Sequence, residues 1–448
     1  MIQKRTTRKS PETCINKGFS LACQKGHLSQ KSCLRKMAGF FLYLNSCLSG
    51  NHYGILGSNK GSKRAVSSSP DFNTNFECCV MAIGFYFPFL PVVQRKGMVI
   101  NMTDFSVIDS NFKVETNLNV GDIRFYNVLN DPFHIYGVFY ENGKFRRMPE
   151  KVAETVSDGV LRLHTNTAGG RVRFKTDSPY VAIHAKMSDI WRMSHFALTG
   201  STGFDLYANN EYVSTFVPPY DISDSYESII YFQSNEMREI TINFPLYCSV
   251  NELFIGVSEQ ATLCAPQPYK YEKAIVYYGS SITQGGCASR PGMSYESIVS
   301  RRLNADHINL GFAGYARGED EIAEYISNLE MSCFVYDYDH NANTVEDLKN
   351  THEKMFKRIR QKNPDVPIIM MPRPKFCLTE DDVLRLNVIK ETYNNAIENG
   401  DKNVYLIEGE KLMQMAGNNG TVDNTHPTDL GFASMAKVIG DVLEKILK

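Results

Sequence analysis

The chain has little of what several common chemistries require. It contains a single tryptophan in 448 residues, no Gly-x-Ser-x-Gly elbow, no His-Glu-x-x-His and no Walker-type glycine loop. The first absence disfavours an α/β-hydrolase, and the others leave metalloprotease and P-loop readings without support. None of the 11 cysteines is spaced Cys-x-x-Cys, and beyond residue 97 there are five (Cys248, Cys264, Cys287, Cys333, Cys377). An odd number without that spacing reads as reduced thiols, not a disulfide framework or a zinc site. Two apolar runs, 37–49 and 78–93, fall short of the roughly 20 residues a membrane-spanning helix needs, and Pro88 and Pro91 interrupt the second. The net charge of −1 is unevenly spread. Residues 1–97 hold 14 Lys/Arg against 3 Asp/Glu, which leaves 34 against 46, a balance of −12, for the rest. An acidic body argues against a nucleic-acid partner.

What remains is ordinary for a soluble globular protein, with 43% hydrophobic and 22% charged residues and length enough for two or three domains. Residues 1–97 are rich in Lys, Ser, Asn and Cys and show no period of 2 or 3.6. Lys31, Arg35 and Lys36 imitate a secretory signal but lie deep for one. This segment is read as a disordered or non-native leader, with Met98 and Met102 as alternative starts and a cytoplasmic location expected over a secreted one.

Residues 98–268 carry a β signal. Val172/Phe174, Val181/Ile183/Ala185, Ile240/Ile242/Phe244/Leu246 and Leu253/Ile255/Val257 alternate with period 2 between turns such as Gly169-Gly170. That pattern predicts an antiparallel β-sandwich of jelly-roll type. No catalytic spacing occurs in it, and Trp191 and His195 read as packed or edge residues.

After the Pro-punctuated connector near Cys264, residues 269–448 alternate strands (274–278, 307–310, 333–338, 366–371, 404–407) with amphipathic helices, which implies an α/β parallel sheet. Thr344 with Asp347 and Thr379 with Asp382 spell capping boxes, the second ahead of Leu386, Tyr393 and Ile397. His352 falls on the apolar stripe of its helix and reads as structural. A last helix is expected over 428–447, with Met435, Ile439, Val442 and Ile446 inward.

Three loops follow three of these strands. The first carries Gly279-Ser280-Ser281, the second runs from Asn309 to Gly318, and the third holds His340, Asn341 and Asn343. In a flavodoxin-like strand order the first and third strands flank the topological switch point, so Ser281 and Asn341 would face one crevice. A base is expected after the last strand. There Asp423-x-x-His426 can set a carboxylate against one imidazole nitrogen and leave the other free, with Pro427 and Thr428 opening the final helix. Such a pair alone is a weak signal, but in register with Ser281 it is stronger.

On these residues the segment from about 273 to 448 resembles the SGNH (GDSL-type) hydrolases, whose four blocks map onto Gly279-Ser280-Ser281, Gly314, Asn341 and Asp423-x-x-His426. The preceding segment, through Gly203-Phe204-Asp205-Leu206-Tyr207, is similar to the GxDLY-type β domain fused to one subgroup. The resemblance implies a serine esterase with Ser281 as nucleophile, His426 as base and Asp423 as its orienter. Backbone N–H groups of Ser281 and Gly314 and the Asn341 amide would form the oxyanion hole. Two positions depart from the pattern: Ser280 replaces the usual acidic residue, and Asn341 lies in Asp-His-Asn-Ala, leaving Asn343 as a second candidate donor.

The subgroup points to short acyl groups, acetyl on carbohydrate above all, with no cofactor and no metal. Arg290, Arg317 and His340 are candidates to touch substrate, and the loop 287–295 to line the alcohol side, with Tyr295 as helix packing. A small-molecule or oligosaccharide ester is the expected partner, with no nucleic acid or membrane. A homo-oligomer is left open. The alternatives are acyl transfer by the same triad, or a carbohydrate-binding protein with an inactive site.

Overall fold

The computed structural model of the protein describes residues 118–447. The leader expected over 1–97 and the start of the β region at 98–117 lie outside the described residues. Two antiparallel sheets come first. One orders Ile123–Asn127, Ser249–Ser258, Tyr180–Ser188 and Ser225–Tyr231; the other orders Leu263–Cys264, Arg171–Thr176, Arg238–Asn243, Phe204–Ala208 and Glu211–Phe216, with His134–Tyr136 also pairing Arg171–Thr176. Alternation along each strand sends Val172, Phe174, Leu206, Ile240 and Ile242 of one sheet against Val181, Ile183, Leu253, Ile255 and Val257 of the other. Period 2 thus makes one dry layer between two sheets, a β-sandwich. Phe244 and Leu246, expected to continue a strand, lie past its end and are buried in the connection.

The second half is a five-stranded sheet of β1 (Tyr271–Gly279), β2 (Ala305–Gly311), β3 (Met331–Asp337), β4 (Ile368–Met370) and β5 (Val404–Leu406). Its order is β2-β1-β3-β4-β5, every pair parallel, which is the flavodoxin-like topology. The helices are α1 (Tyr295–Leu303), α2 (Asp320–Ser327), α3 (Val345–Lys362), α4 (Glu380–Glu398) and α5 (Asp429–Ile446). On β1, Val276 and Tyr278 face the core shared with α2, α3 and α4, while Ile275 and Tyr277 face the one shared with α1 and α5.

Both capping boxes form, at the starts of α3 and α4. Helix α4, however, is turned about one position from its expected face. It buries Arg385, Val388, Ile389, Thr392 and Ala396 and leaves Ile397 exposed. Buried Arg385 donates to the carbonyls of Asp339 and Ala342, so a polar anchor displaces the apolar stripe. Helix α5 faces inward with Phe432, Met435, Ile439 and Leu443, whereas Val442 and Ile446 are half-buried.

Sandwich and sheet share their cores. Two short helices, Glu150–Val156 and Asp158–Leu163, leave the sandwich and place Ala153, Val160 and Leu163 against Tyr278, Phe312 and Ile322. Arg147, buried beside them, donates to the carbonyls of Asn309 at 3.2 Å, Gly311 at 2.6 Å and Leu163 at 2.7 Å. Burial lowers its guanidinium to about 9, which still leaves it charged at neutral pH, its charge met by carbonyl oxygens rather than a carboxylate. The carboxyl edge of the parallel sheet is therefore built from both halves of the chain. Among the described residues no helix is long and apolar enough to cross a membrane.

Candidate active site

β1 ends at Gly279 because nothing larger fits: a Cβ there would collide with the carboxyl of Asp337 at the end of β3. The chain then turns tightly. Gln284 N–H donates to Ser280 O at 3.0 Å, Gly285 N–H to Ile282 O at 2.9 Å and Gly286 N–H to Ser281 O at 2.7 Å. The Ser281 carbonyl also accepts from the hydroxyl of Tyr247, a sandwich residue, at 3.0 Å. Position 280, where the family pattern has an acid, holds a buried serine whose Oγ accepts from Ile282 N–H at 3.2 Å. The carboxyl beneath this turn is Asp337, which accepts from Thr283 Oγ1 and is pushed well above its usual range by burial. The turn holds Ser281 half-buried, with its side chain free to meet a partner.

That partner arrives from the loop before α5. Asn424 takes a left-handed backbone (φ 65°), and the tight turn lets Asp423 Oδ1 accept the N–H groups of Thr425 at 3.1 Å and His426 at 2.7 Å. Asp423 Oδ2 lies 2.7 Å from His426 Nδ1, and His426 Nε2 lies 2.9 Å from Ser281 Oγ. Burial pushes the Asp423 carboxyl upward, but the hydrogen bonds from His426 outweigh it and hold the group below its ordinary value. With Nδ1–H directed at a carboxylate, Nε2 presents a lone pair to the serine hydroxyl. The Asp-x-x-His pair, a weak signal by itself, is thus brought within hydrogen-bond reach of Ser281.

Beyond Ser281 itself, the candidate donors lie just past the carboxyl ends of β2 and β3. Gly314 is exposed at φ 77°, and among the described residues no hydrogen-bond partner occupies its N–H or that of Ser281. The Asn341 amide donates one hydrogen to Phe312 O at 3.0 Å, which fixes its plane and leaves its second N–H free. Asn343 is exposed and has no such tie to the 311–315 loop. Gln284, fully buried, accepts from Ala313 N–H at 3.0 Å and donates to Asn166 Oδ1 at 3.1 Å and Leu246 O at 3.2 Å. It bolts the donor loop to the sandwich.

The three residues offered to substrate part ways. Arg290 points into the domain junction: its guanidinium bonds Asp205 Oδ2 at 3.0 Å and the Tyr207 hydroxyl, and lies 3.8 Å from the Tyr212 ring centre. Asp205 and Tyr207, the Asp and Tyr of the GxDLY stretch, thus pin the 287–293 loop from behind, and the guanidinium is engaged there. Arg317 is exposed near the donor loop, 3.4 Å from Gly314 O. His340 is half-buried, and burial first, then the charges of Arg373 and His426, hold its imidazole well below the usual range. Tyr295 is buried beneath the serine turn, 3.2 Å from Thr283 Oγ1.

The sandwich supplies what sequence reading passed over. His195 Nε2 lies 4.0 Å from Asp423 Oδ2, and its ring centre is 5.7 Å from that of His426. Phe196 packs edge-on against both Tyr247 and His426. Trp191, partly exposed, packs its ring 5.1 Å from the Arg162 guanidinium, which also lies 5.3 Å from the ring of Tyr315, next to Gly314. Period-2 patterning carries no mark of these roles, because the segment 189–197 lies between regular elements.

Residues 272–444 match the model of the GDSL-like lipase/acylhydrolase family, and residues 123–263 match that of the N-terminal domain of SGNH-hydrolase-type esterases, GxDLY. Residues 272–444 are a GDSL-type esterase domain. Among solved structures, a candidate GDSL-like lipase from Bacteroides ovatus is 28% identical, with a TM-score of 0.66 over 72% of this chain and 98% of its own. The salicylyl-acyltransferase SsfX3 of a tetracycline biosynthetic pathway is 18% identical, with a TM-score of 0.61 over 73% and 99%. The acetyl xylan esterase Est2A from the rumen bacterium Butyrivibrio proteoclasticus is 13% identical, with a TM-score of 0.50 over 72% and 98%. The last two share the fold of this GDSL-type esterase. No curated protein matches the chain.

Proposed function

We propose that the protein hydrolyses short-chain acyl esters, acetyl esters of carbohydrates in particular, through Ser281, His426 and Asp423. The observation that carries this reading is the continuous relay from Asp423 Oδ2 through the imidazole to Ser281 Oγ, with links of 2.7 and 2.9 Å. His426 Nε2 takes the Ser281 proton as Oγ attacks the ester carbonyl. The oxyanion settles among the N–H groups of Ser281 and Gly314 and the Asn341 amide. The bond to the alcohol breaks as His426 returns the proton to the departing oxygen. Water, deprotonated by the same nitrogen, then attacks the acyl-serine and frees the acid. Asp423 keeps the tautomer and steadies the imidazolium throughout.

The carbohydrate part is supported by the acetyl xylan esterase with the same two-part fold. The partly exposed Trp191 ring, which shares the Arg162 guanidinium with Tyr315, also supports it as an aromatic face on which a sugar can stack. The test is acetate release from a panel of acetylated mono- and oligosaccharides, run beside the Ser281→Ala variant. Release by the parent and near-complete loss in the variant is the expected outcome. Parental release by Ser281→Ala would refute the role of Ser281. Acetyl found on an added alcohol in place of free acetate would assign acyl transfer instead.

A further inference from the structure

Three metal-ligating side chains converge beside Ser281, and two of them have no part in the reaction proposed above. His195, Cys287 and His426 each bring one ligand atom within 4.8 Å of the other two. They come from three separate places: the 189–197 connector of the sandwich, the loop after the serine turn, and the loop before α5. The Asp423 carboxylate stands 4.0 Å from His195 Nε2 and close enough to Cys287 to act on its thiol. Two imidazoles, a sulfur and a neighbouring carboxylate are the donor set of a borderline-soft cation such as Zn²⁺.

We propose that His195, Cys287 and His426 form a zinc-type cation site whose occupation reversibly switches off the esterase. The switching half rests on the proposed role of His426; the binding half does not. A metal needs an imidazole lone pair, and both His426 nitrogens face partners, Asp423 at Nδ1 and Ser281 at Nε2. Coordination at Nε2 removes the base, and coordination at Nδ1 removes the orienting carboxylate. Either way the relay breaks.

The bookkeeping is simple: Cys287 releases one proton to solvent, the cation accepts lone pairs from one sulfur and two nitrogens, and nothing is oxidised or reduced. Metal–nitrogen bonds of about 2.0 Å and a metal–sulfur bond of about 2.3 Å set tetrahedral donors roughly 3.3–3.5 Å apart, so the cluster closes by about 1 Å. His195 can supply that movement, being exposed and in a turn outside the regular strands. Cys287 adopts a left-handed backbone (φ 72°), a conformation that residues other than glycine hold mainly where surroundings demand it. Without a cation its thiol is pushed up to about 12, by burial and then by Asp423, so it is no rival nucleophile.

The experiment is calorimetric titration of the chelator-treated full-length chain with zinc chloride alone, beside aryl acetate hydrolysis at each zinc concentration. One zinc per chain should bind, hydrolysis should fall in parallel, and chelator should restore it. Cys287→Ser and His195→Ala should each lose at least about tenfold in zinc affinity, and as much in inhibition read against each variant's own metal-free rate, since even partners outside a coordination shell cost about that much. Cobalt(II) should give a thiolate-to-metal charge-transfer band in the parent that is absent from Cys287→Ser. Parental zinc affinity in both variants, or no site of unit stoichiometry, overturns the site. Zinc bound without loss of hydrolysis overturns the switch. Calorimetry and the cobalt band need no turnover, so they report on the site even if Ser281 proves not to be the nucleophile.

Discussion

Replacing Gln284 by methionine keeps the volume of a fully buried side chain and removes its amide. Two buried groups, Asn166 Oδ1 at 3.1 Å and Leu246 O at 3.2 Å, and one half-buried group, Ala313 N–H at 3.0 Å, lose their partner. At about 1 kcal/mol or more for each stranded group, the variant loses about 3 kcal/mol. For a folded body spanning residues 118–447 that is a fall in Tm of roughly 4 °C. Activity should fall too, because Ala313 directly precedes Gly314 and the lost bond fixes the direction of the donor loop. Outright removal of an oxyanion donor costs about 100-fold or more in kcat; misaiming one through its neighbour should cost about tenfold, with KM little changed. Differential scanning calorimetry and steady-state hydrolysis of an aryl acetate read the two effects separately. A lower Tm with parental kcat would refute the link from Gln284 to the donor loop, and a parental Tm would refute the account of its buried bonds.

Asn341→Ala should lower kcat by about 100-fold while leaving Tm within a few degrees, whereas Asn343→Ala should leave kcat near the parental value. The same aryl acetate assay on both variants decides which amide is the donor. Asp205 is fully buried and accepts from Asn243 at 2.8 Å, Arg290 at 3.0 Å and Gly292 N–H at 2.8 Å. Asp205→Ala strands the Arg290 charge and should cost about 3 kcal/mol by urea denaturation, the low end for a broken buried pair because Arg290 keeps some contact with water. Burial lowers the His352 imidazole to about 3, so the folded chain refuses a proton that the unfolded chain accepts below about 6.5. Its contribution is present above that pH and lost as pH falls, at about 1.4 kcal/mol per unit. Between pH 7.5 and 5 the parent should therefore lose about 2 kcal/mol more stability than His352→Phe, and equal losses in urea would contradict this.

Most of the parallel sheet was legible because its signals are local. Apolar strands, two capping boxes and helical stripes each declare themselves within about 15 residues, and the flavodoxin-like order then brings the ends of β1, β2 and β3 together. The placement of Ser281, Asn341 and the Asp423–His426 pair, just past strand ends or ahead of a helix, was legible for the same reason. The rest depends on contacts that no spacing encodes. Arg290 read as a candidate to touch substrate because its partner, Asp205, is 85 residues away on a sandwich strand. His195, Asn166 and Arg147 reach the site only through the packing of sandwich on sheet. The turn of α4 had a comparable cause. Arg385 caps carbonyls of the 339–342 loop, and no hydrophobic pattern foretells a buried arginine.

The most direct test of the central claim is to mix the protein rapidly with an aryl acetate, quench it in acid and locate the acetyl group by mass spectrometry of its peptides. The account predicts an acetyl ester on Ser281, formed before the second product appears and absent from Ser281→Ala. Acetyl carried by any other residue, or sustained hydrolysis by Ser281→Ala, would contradict it.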